Sequence, residues 1–303
     1  EFVGQPLEIV RADFSRQIAR KREFVAAEWP AAGVPLDRVQ RALEVLQPTG
    51  NPFLDLCIWK GRFPSRMAQF CTEFLKSRAV EQAVIGPALE TGPVVQWLGV
   101  RRDESLNRRH LPMFQRVRRA DAPHDMLFFR PLIDWNASEV FDLIRRSGMR
   151  NNPLYLQGMG RVGCFPCINE NKHGLAEIGR RFLEAVEKLL EWEALVRDAS
   201  KRGAATFFAA DTTPEGAALV RQVKADAERI TRRLYPEVDR DSREWKAAFK
   251  RQVATLSADA PLPRADQVFE WAKTDRGGRQ YKLLDLAFSE EGVSCSSQYG
   301  LCE

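Results

Sequence analysis

Two cysteines stand two residues apart in the stretch GRVGCFPCIN, at residues 160–169. A turn of this C-x-x-C type can aim both sulfurs at one metal, and thiolate is a soft ligand that suits zinc or an iron–sulfur cluster. Two more cysteines, Cys295 and Cys302, lie in the last nine residues, CSSQYGLCE. The pattern predicts a metal or cluster site at Cys164 and Cys167, although spacing alone does not choose zinc over iron–sulfur.

The other two cysteines have different settings. Cys71 falls on a predicted helix that also carries Lys76, whereas Cys57 lies in the apolar run FLDLCIW and is expected to be a core residue. Six cysteines in 303 residues are too few for a disulfide scaffold. In a reducing compartment, closely spaced cysteines are more often metal ligands or redox groups.

An arginine-rich loop, GVRRDESLNRR at residues 99–109, follows the apolar run PVVQWLGV. Arg101, Arg102 and Arg108 offer paired N–H donors, which clamp phosphate or sulfate better than lysine does, and Ser105 adds a hydroxyl. In an open parallel sheet, ligands gather at the carboxyl ends of the strands, where this loop should lie. The loop is therefore a candidate anion site.

The same loop contains two carboxylates, Asp103 and Glu104, which leaves a second interpretation open. In that interpretation the arginines pair internally and the loop is a solvated basic surface.

The stretch TDRGGRQYKLL, at residues 274–284, also allows two interpretations. Its arginines could contact a phosphate backbone while Tyr281 stacks on a base. It could equally be a turn between two helices.

Composition indicates a globular chain with a sizeable core, since 44% of the residues are hydrophobic and 29% are charged. No apolar run reaches the roughly 18 residues that a membrane span needs, and the first residues lack the pattern of a signal peptide. We therefore expect a cytoplasmic protein with no membrane partner. The net charge of +5 suits anionic partners, although ordinary solubility charge would explain it too.

Strands alternating with helices up to residue 168 predict an α/β layer with a mostly parallel sheet. SRMAQFCTEFLKSRAVEQAV (Ser65–Val84) has helical spacing, and NASEVFDLIRRSG (Asn136–Gly148) has a helix cap at each end. Beyond residue 168 the pattern becomes helical. One long helix is predicted over Leu175–Gly203, and another over Pro214–Leu234.

Four stretches together resemble the phosphoadenosine phosphosulfate (PAPS) reductase family of the PP-loop ATP-pyrophosphatase-like superfamily. They are FCTEFLK, GVRRDESLNR, RPLIDWNASEVFDLIRRSGMRNNPLY and GRVGCFPC, and they occur in consistent order. The resemblance implies a Rossmann-like parallel sheet of the adenine-nucleotide alpha-hydrolase type, followed by a C-terminal helical part. The implied domains are residues 1–168, PAPS-reductase-like, and residues 169–303, helical with a cysteine-containing tail.

The iron–sulfur branch of this family, the adenylyl-sulfate reductases, implies a [4Fe–4S] cluster. Its expected ligands here are Cys71, Cys164 and Cys167, which fit cysteines of the family pattern, and a tail cysteine, Cys295, with Cys302 as the alternative. Zinc is the alternative metal. The remaining tail cysteine, Cys302, is then the expected catalytic thiol.

The resemblance also implies a site for ATP or an adenylyl sulfate-type nucleotide. Lys76 fits the family's lysine and is expected both to bind the substrate and to act in catalysis. The other residues expected to bind the substrate are Arg101, Arg102, Ser105, Arg108 and Arg161.

The sequence departs from the family pattern at two places. Thr72 stands where the iron–sulfur branch has a second cysteine, and for that reason a four-thiolate cluster needs another ligand, which the tail could supply. The alternative is a cluster with three protein ligands and an open iron that could bind sulfide. The family's phosphate loop, Ser-x-Gly-Lys-Asp-Ser, is missing from the printed sequence. We expect that the sequence omits an N-terminal segment, the alternative being that this member has lost the loop.

Three functions remain open at this point. The first is reduction or transfer of sulfur on an adenylated substrate, with a thiol reductant as partner. The second is ATP-dependent sulfur insertion into DNA or tRNA, with a cysteine desulfurase as partner. The third is a zinc-stapled, non-enzymatic module that binds nucleic acid.

Overall fold

The computed structural model describes Gly4 and residues 7–160, 162–258 and 260–277. The described chain divides into two compact units, a sheet unit of residues 7–13 and 66–165 and a helical unit of residues 14–65 and 166–277. The second break of this division lies close to the expected boundary at residue 168. Residues 14–65 group with the helical unit instead of with the sheet, because their helices pack against a helix from the later part of the chain.

The secondary structure is mostly helical. In chain order, the helices are α1 (Ser15–Ala31), α2 (Leu36–Val45), α3 (Pro52–Lys60), α4 (Phe70–Thr72), α5 (Arg78–Val80), α6 (Gly86–Thr91), α7 (Ala137–Arg146), α8 (Pro153–Leu156), α9 (Lys172–Arg181), α10 (Leu183–Asp198), α11 (Pro214–Leu234), α12 (Arg243–Ala258) and α13 (Ala265–Ala272). The strands are β1 (Val94–Trp97), β2 (Phe114–Val117) and β3 (Met126–Phe129).

The three strands form one sheet in the order β1-β3-β2. β1 pairs with β3 in parallel, and β2 pairs with β3 antiparallel. Because β1 and β3 run in the same direction, their carboxyl ends lie at the same edge of the sheet. The expected α/β fold with a parallel-containing sheet and a helical part is confirmed.

One face of the sheet builds the core of the sheet unit. Met126 and Phe128 of β3 pack there with Leu98 and Val100, which follow β1, and with Ile133 after β3. The opposite face carries Trp97, Phe114 and Phe129, whose rings contact one another at centroid distances of 4.9 and 4.7 Å. Trp97 is 70% exposed. Within the described residues, one face of the sheet is therefore buried in a core, and the opposite face is apolar but partly exposed.

The helix predicted over Ser65–Val84 begins later and is irregular. It starts at Phe70 and continues to Thr91, and α4, α5 and α6 are joined by π-helical turns at Glu73–Ser77 and Glu81–Ile85. Single π-helical turns inside helices often mark functional sites. The first of these turns carries Lys76.

Helix α7 confirms the predicted caps. The Asn136 side chain accepts a hydrogen bond from the Glu139 backbone N–H at 3.0 Å, and the Glu139 carboxylate accepts one from the Asn136 N–H at 2.7 Å. This reciprocal capping box satisfies two backbone donors that the first helical turn leaves without partners.

The prediction of a single helix over Leu175–Gly203 is wrong, because the chain forms two helices there, α9 and α10. Phe182 separates them with a non-helical backbone at φ −130° and ψ 63°. α9 packs against α13, with Gly179 allowing a close approach, since a Cβ atom there would lie 3.1 Å from the Phe269 Cβ. α10 also packs against α2 and α3, and these contacts require a change of direction.

Aromatic side chains hold the helical unit together. Rings from α3 and the loop after it, from α10 and the loop after it, and from α13 form a continuous series: Phe53, Phe63, Trp192, Phe207, Phe208 and Phe269. The buried Glu193 carboxylate accepts hydrogen bonds from the backbone N–H groups of Phe207, at 2.7 Å, and Ala265, at 3.1 Å. Burial raises the pKa of Glu193, while these two hydrogen bonds oppose the rise.

A half-buried lysine joins three helices of the same unit. Lys21 of α1 donates to the carbonyl oxygens of Ile58, at 2.7 Å, and Ala199, at 2.9 Å. These carbonyls lie at the C-terminal ends of α3 and α10, where the helix dipole favours a cation. Burial lowers the pKa of Lys21 from its ordinary value of 10.5 to about 8.

Among the described residues, no helix has both the length and the apolar composition needed to cross a membrane.

Replacing Lys21 by Met should lower the free energy of unfolding by about 1–3 kcal/mol, because two buried carbonyls lose their donor. Between pH 8 and 10.5 the folded chain binds fewer protons at Lys21 than the unfolded chain does, so this group makes stability rise with pH in that window. Urea unfolding from about pH 7 to about pH 10 checks both effects.

Lys21→Met should lack the rise in stability with pH, whereas Lys224→Met, at an exposed position on α11, should keep it. Equal stability of Lys21→Met and the parent protein across the range would contradict this role.

Candidate functional site

The arginine-rich loop lies at the carboxyl edge of the parallel pair. It leaves β1 through the buried residues Leu98 and Val100 and forms a short 3-10 turn over Arg102–Glu104. The Arg102 N–H donates to the carbonyl of Ile133, which follows β3, at 2.9 Å. The two loops that follow β1 and β3 are thus joined at the edge where ligands of open α/β sheets bind.

Two of the predicted arginines contact carboxylates of their own loop. The Arg101 Nε atom donates to Asp103 Oδ1 at 2.9 Å, and the Arg101 Nη1 atom lies 3.3 Å from Glu104 Oε1. Arg108 forms an ion pair with Glu104. Arg108 and Ser105 are only 8% and 7% exposed, so the interior of the loop is a polar network rather than a solvated surface.

Arg102 is held by groups outside the 3-10 turn. Its guanidinium donates to the Leu111 carbonyl from Nη2, at 2.9 Å, and from Nε, at 3.2 Å, and it forms an ion pair with Asp134. Asp134 is 59% exposed at its side chain. An anion that binds Arg102 therefore competes with an exposed carboxylate, and exposed ion pairs of this kind are weak.

Arg130 is a charged residue of this edge that the sequence analysis missed. It follows β3 directly and is fully buried, at 0% exposure. Its guanidinium donates to the Pro112 carbonyl at 2.9 Å and to Gln115 Oε1 at 2.8 Å, and burial lowers its pKa. Within the described chain its Nε atom has no partner and no carboxylate pairs with it.

A buried guanidinium without a carboxylate leaves positive charge at the same edge of the sheet as the loop. The sequence signal was an arginine placed directly after a buried apolar strand, in FFRPL.

The irregular helix supplies the next two predicted residues. Cys71 is half-buried in α4, and Lys76 is exposed in the first π-helical turn. Among the described residues, no hydrogen bond or ion pair joins Lys76 to the arginine loop, so its expected roles in binding and catalysis remain predictions.

The C-x-x-C cysteines differ in exposure. Cys164, in the sheet unit, is exposed, and Cys167, in the helical unit, is half-buried. The Asn169 N–H points to the Cys167 Sγ atom at 3.5 Å, and the Glu170 N–H donates to the Cys167 carbonyl at 3.1 Å. An N–H donor to sulfur favours the thiolate form, which is the form that binds metal.

Three of the predicted site residues, Arg161, Cys295 and Cys302, lie outside the described residues, as does Tyr281. Within the described ranges, no three side chains of His, Cys, Asp or Glu are grouped as a metal ion would require. The chemistry of the donors nevertheless fits the expected group, because Cys167 is a half-buried thiol that accepts a backbone N–H. The ligand set stays a prediction.

Comparison with known proteins gives a family for this chain. Residues 54–170 match the family model of the phosphoadenosine phosphosulfate reductase domain. An uncharacterized 37.8 kDa protein from the gpa 5′ region of Escherichia phage 186 is 40% identical to this chain. The aligned length is 309 residues, and the alignment covers 98% of this chain and 81% of the phage protein. The chain therefore belongs to the PAPS reductase family.

Named reductases are similar over a shorter part of the chain. The adenosine 5′-phosphosulfate reductase of Allochromatium vinosum is 32% identical over 105 residues, which cover 34% of this chain and 36% of that protein. The phosphoadenosine 5′-phosphosulfate reductase of Erwinia tasmaniensis is 33% identical over 96 residues, or 31% of this chain and 37% of that protein. The chain thus spans little more than a third of these two reductases. No solved structure gives a significant match.

Replacing Cys164 or Cys167 by Ala should lower the metal bound per chain, because each change removes one soft ligand. The measurement is iron, sulfide and zinc analysis after anaerobic purification. An iron–sulfur protein should be brown and absorb broadly in the visible, whereas a zinc protein is colourless.

Cys57→Ala is the control, because Cys57 is fully buried and burial raises the pKa of its thiol, which keeps it neutral. Unchanged metal content in both Cys164→Ala and Cys167→Ala would refute the metal site, and zinc without iron would refute the cluster.

Proposed function

We propose that this protein is an enzyme of sulfur reduction or transfer that binds an adenylated substrate at the arginine loop, residues 99–109. The observation that carries the proposal is the position of Arg101, Arg102 and Arg108 in one loop at the carboxyl edge of parallel strands β1 and β3. Membership of the PAPS reductase family and similarity to named reductases support it.

The charges of this edge suit a doubly anionic ligand. Arginine donates paired N–H bonds to phosphate or sulfate, and such charge-assisted bonds are stronger than neutral ones. The fully buried Arg130 adds positive charge that no described carboxylate neutralises. These groups would stabilise negative charge that develops on the leaving nucleotide.

The proposed reductase step uses a tail thiol. The Cys302 thiolate attacks the sulfur of the adenylated sulfate, the sulfur–oxygen bond to the nucleotide phosphate breaks, and the nucleotide leaves with the electron pair of that bond. The thiolate of a thiol reductant then attacks the Cys302 Sγ atom, the sulfur–sulfur bond breaks, and sulfite leaves with its electron pair, so that a disulfide with the reductant remains. Lys76 is proposed to neutralise the leaving phosphate, and Cys71, Cys164, Cys167 and Cys295 would hold a [4Fe–4S] cluster.

The second candidate is ATP-dependent sulfur insertion into nucleic acid. A specific observation favours it, namely a pocket lined by three arginines in the helical unit. In this function the loop binds ATP and the helical unit contacts the nucleic acid.

Substitutions of Arg102 and Asp134 should change the affinity for adenylyl sulfate in opposite directions. Arg102→Gln should weaken binding of adenylyl sulfate about tenfold or more, because a charge-assisted bond is worth about 1.5–3 kcal/mol. Asp134→Asn should strengthen it, because the carboxylate that competes for Arg102 is removed. Isothermal titration calorimetry with adenylyl sulfate, PAPS and ATP measures both.

Arg146→Gln, at an exposed position in the last turn of α7, is the matched control and should bind like the parent protein. If Arg102→Gln and Asp134→Asn both weakened, or both strengthened, the binding of adenylyl sulfate, the pair would have a structural role and the proposed site would be contradicted. Binding of ATP without the sulfated nucleotides would select the second candidate.

A further inference from the structure

A basic pocket lies within the helical unit, apart from every residue that the sequence analysis singled out. Its volume is about 340 Å³, and it is lined by residues of α2, of the C-terminal end of α10 and of the turn that follows: Arg38, Arg41, Arg197, Asp198 and Gly203. The lining residues therefore carry three guanidinium groups and one carboxylate.

The arginines of this pocket are weakly engaged by the protein. Arg38 donates to the Lys201 carbonyl at 3.3 Å and forms no ion pair within the described residues. The Arg197 Nε atom lies 3.8 Å from Asp198 Oδ1, at the limit of an ion pair. Arg41 pairs with Asp37 at 2.9 Å, but both side chains are at least half exposed, and exposed pairs stabilise little. An incoming anion would displace no strong contact.

The turn that follows α10 lies against Arg38. Gly203 has a φ of +66°, a left-handed backbone conformation that favours glycine, and a Cβ atom at this position would lie 3.1 Å from the Arg38 Cζ and Nη2 atoms. The Arg38 guanidinium therefore lies directly on the backbone of this turn, where it also donates to the Lys201 carbonyl.

The lining selects among anionic ligands. Pockets for free nucleotides or other small molecules are lined mostly by apolar and aromatic side chains, which contact the base. This pocket has no aromatic lining residue, and two more cationic side chains, Lys201 and Arg202, are exposed in the adjacent turn. Such a surface matches the phosphodiester backbone of a polynucleotide, where charge is repeated and bases need no contact.

We propose that the pocket of Arg38, Arg41 and Arg197 binds a backbone phosphate of a nucleic-acid strand. In its choice of partner the proposal rests on the second candidate function above. The phosphate occupies the space between the three guanidiniums, and Lys201 and Arg202 contact the neighbouring part of the strand.

The test compares the parent protein with Arg38→Gln/Arg197→Gln by fluorescence anisotropy. The probes are a labelled single strand of about 20 nucleotides, the matching duplex and a tRNA, each titrated over a range of salt concentrations. The double variant should bind about tenfold more weakly, and the slope of log K against log salt should fall in magnitude by about one.

Arg221→Gln/Arg233→Gln is the matched control, since it removes the same charge from exposed positions on α11 and should leave the slope unchanged. Thermal unfolding of both double variants verifies that they fold. Absence of binding by the parent protein at low salt, or equal losses in the pocket variant and the control, would overturn the proposal.

Calorimetry with adenylyl sulfate and ATP separates this proposal from the nucleotide site. Arg38→Gln/Arg197→Gln should bind both nucleotides like the parent protein, even if nucleic-acid binding is lost. If the double variant loses nucleotide binding instead, the pocket is a nucleotide site and the proposal is wrong. Failure of nucleotide binding by Arg102→Gln alone bears only on the arginine loop.

Discussion

The parallel pairing of β1 with β3 is the constraint on which the candidate site depends. It brings two loops to one edge of the sheet, and the backbone hydrogen bond from Arg102 to Ile133 joins them. Without this pairing, the arginines after β1 and the buried Arg130 after β3 would belong to separate surfaces. The core beneath, formed by Met126, Phe128 and the side chains packed on them, fixes the direction of both strands.

The arginines at this edge differ in the negatively charged partners that they contact. Arg101 and Arg108 pair with the loop's own carboxylates, as one of the two interpretations of the sequence expects, and Arg102 pairs with Asp134. The three arginines lie in one loop, and anion binding by that loop stays a prediction. Arg130 is different, because it is fully buried and, among the described residues, it donates only to uncharged oxygen atoms. That uncompensated charge makes the edge attractive to an anion even while the loop is paired.

Local signals in the sequence predicted much of the fold. The caps of α7 and the bounds of α11 were predictable, since capping residues and proline act within one turn. The break between α9 and α10 was not, because Phe182 carries no local stop signal such as glycine or proline, and the two helices pack against different partners, α9 against α13 and α10 also against α2 and α3. Strand β2 was missed for the same reason, since its four residues pair with β3 through a long-range contact.

In the site, the arginines were evident from their spacing. The partners Asp134 and Leu111 were not, because tertiary structure selects them.

The central claim is that the loop at this edge grips the anionic part of an adenylated substrate. The most direct measurement is a crystal structure of the full chain with adenylyl sulfate. The account predicts a phosphate or sulfate oxygen within about 3 Å of a guanidinium nitrogen of Arg101, Arg102 or Arg108, with the Arg102–Asp134 pair opened. A nucleotide bound elsewhere, with that ion pair intact, would contradict it.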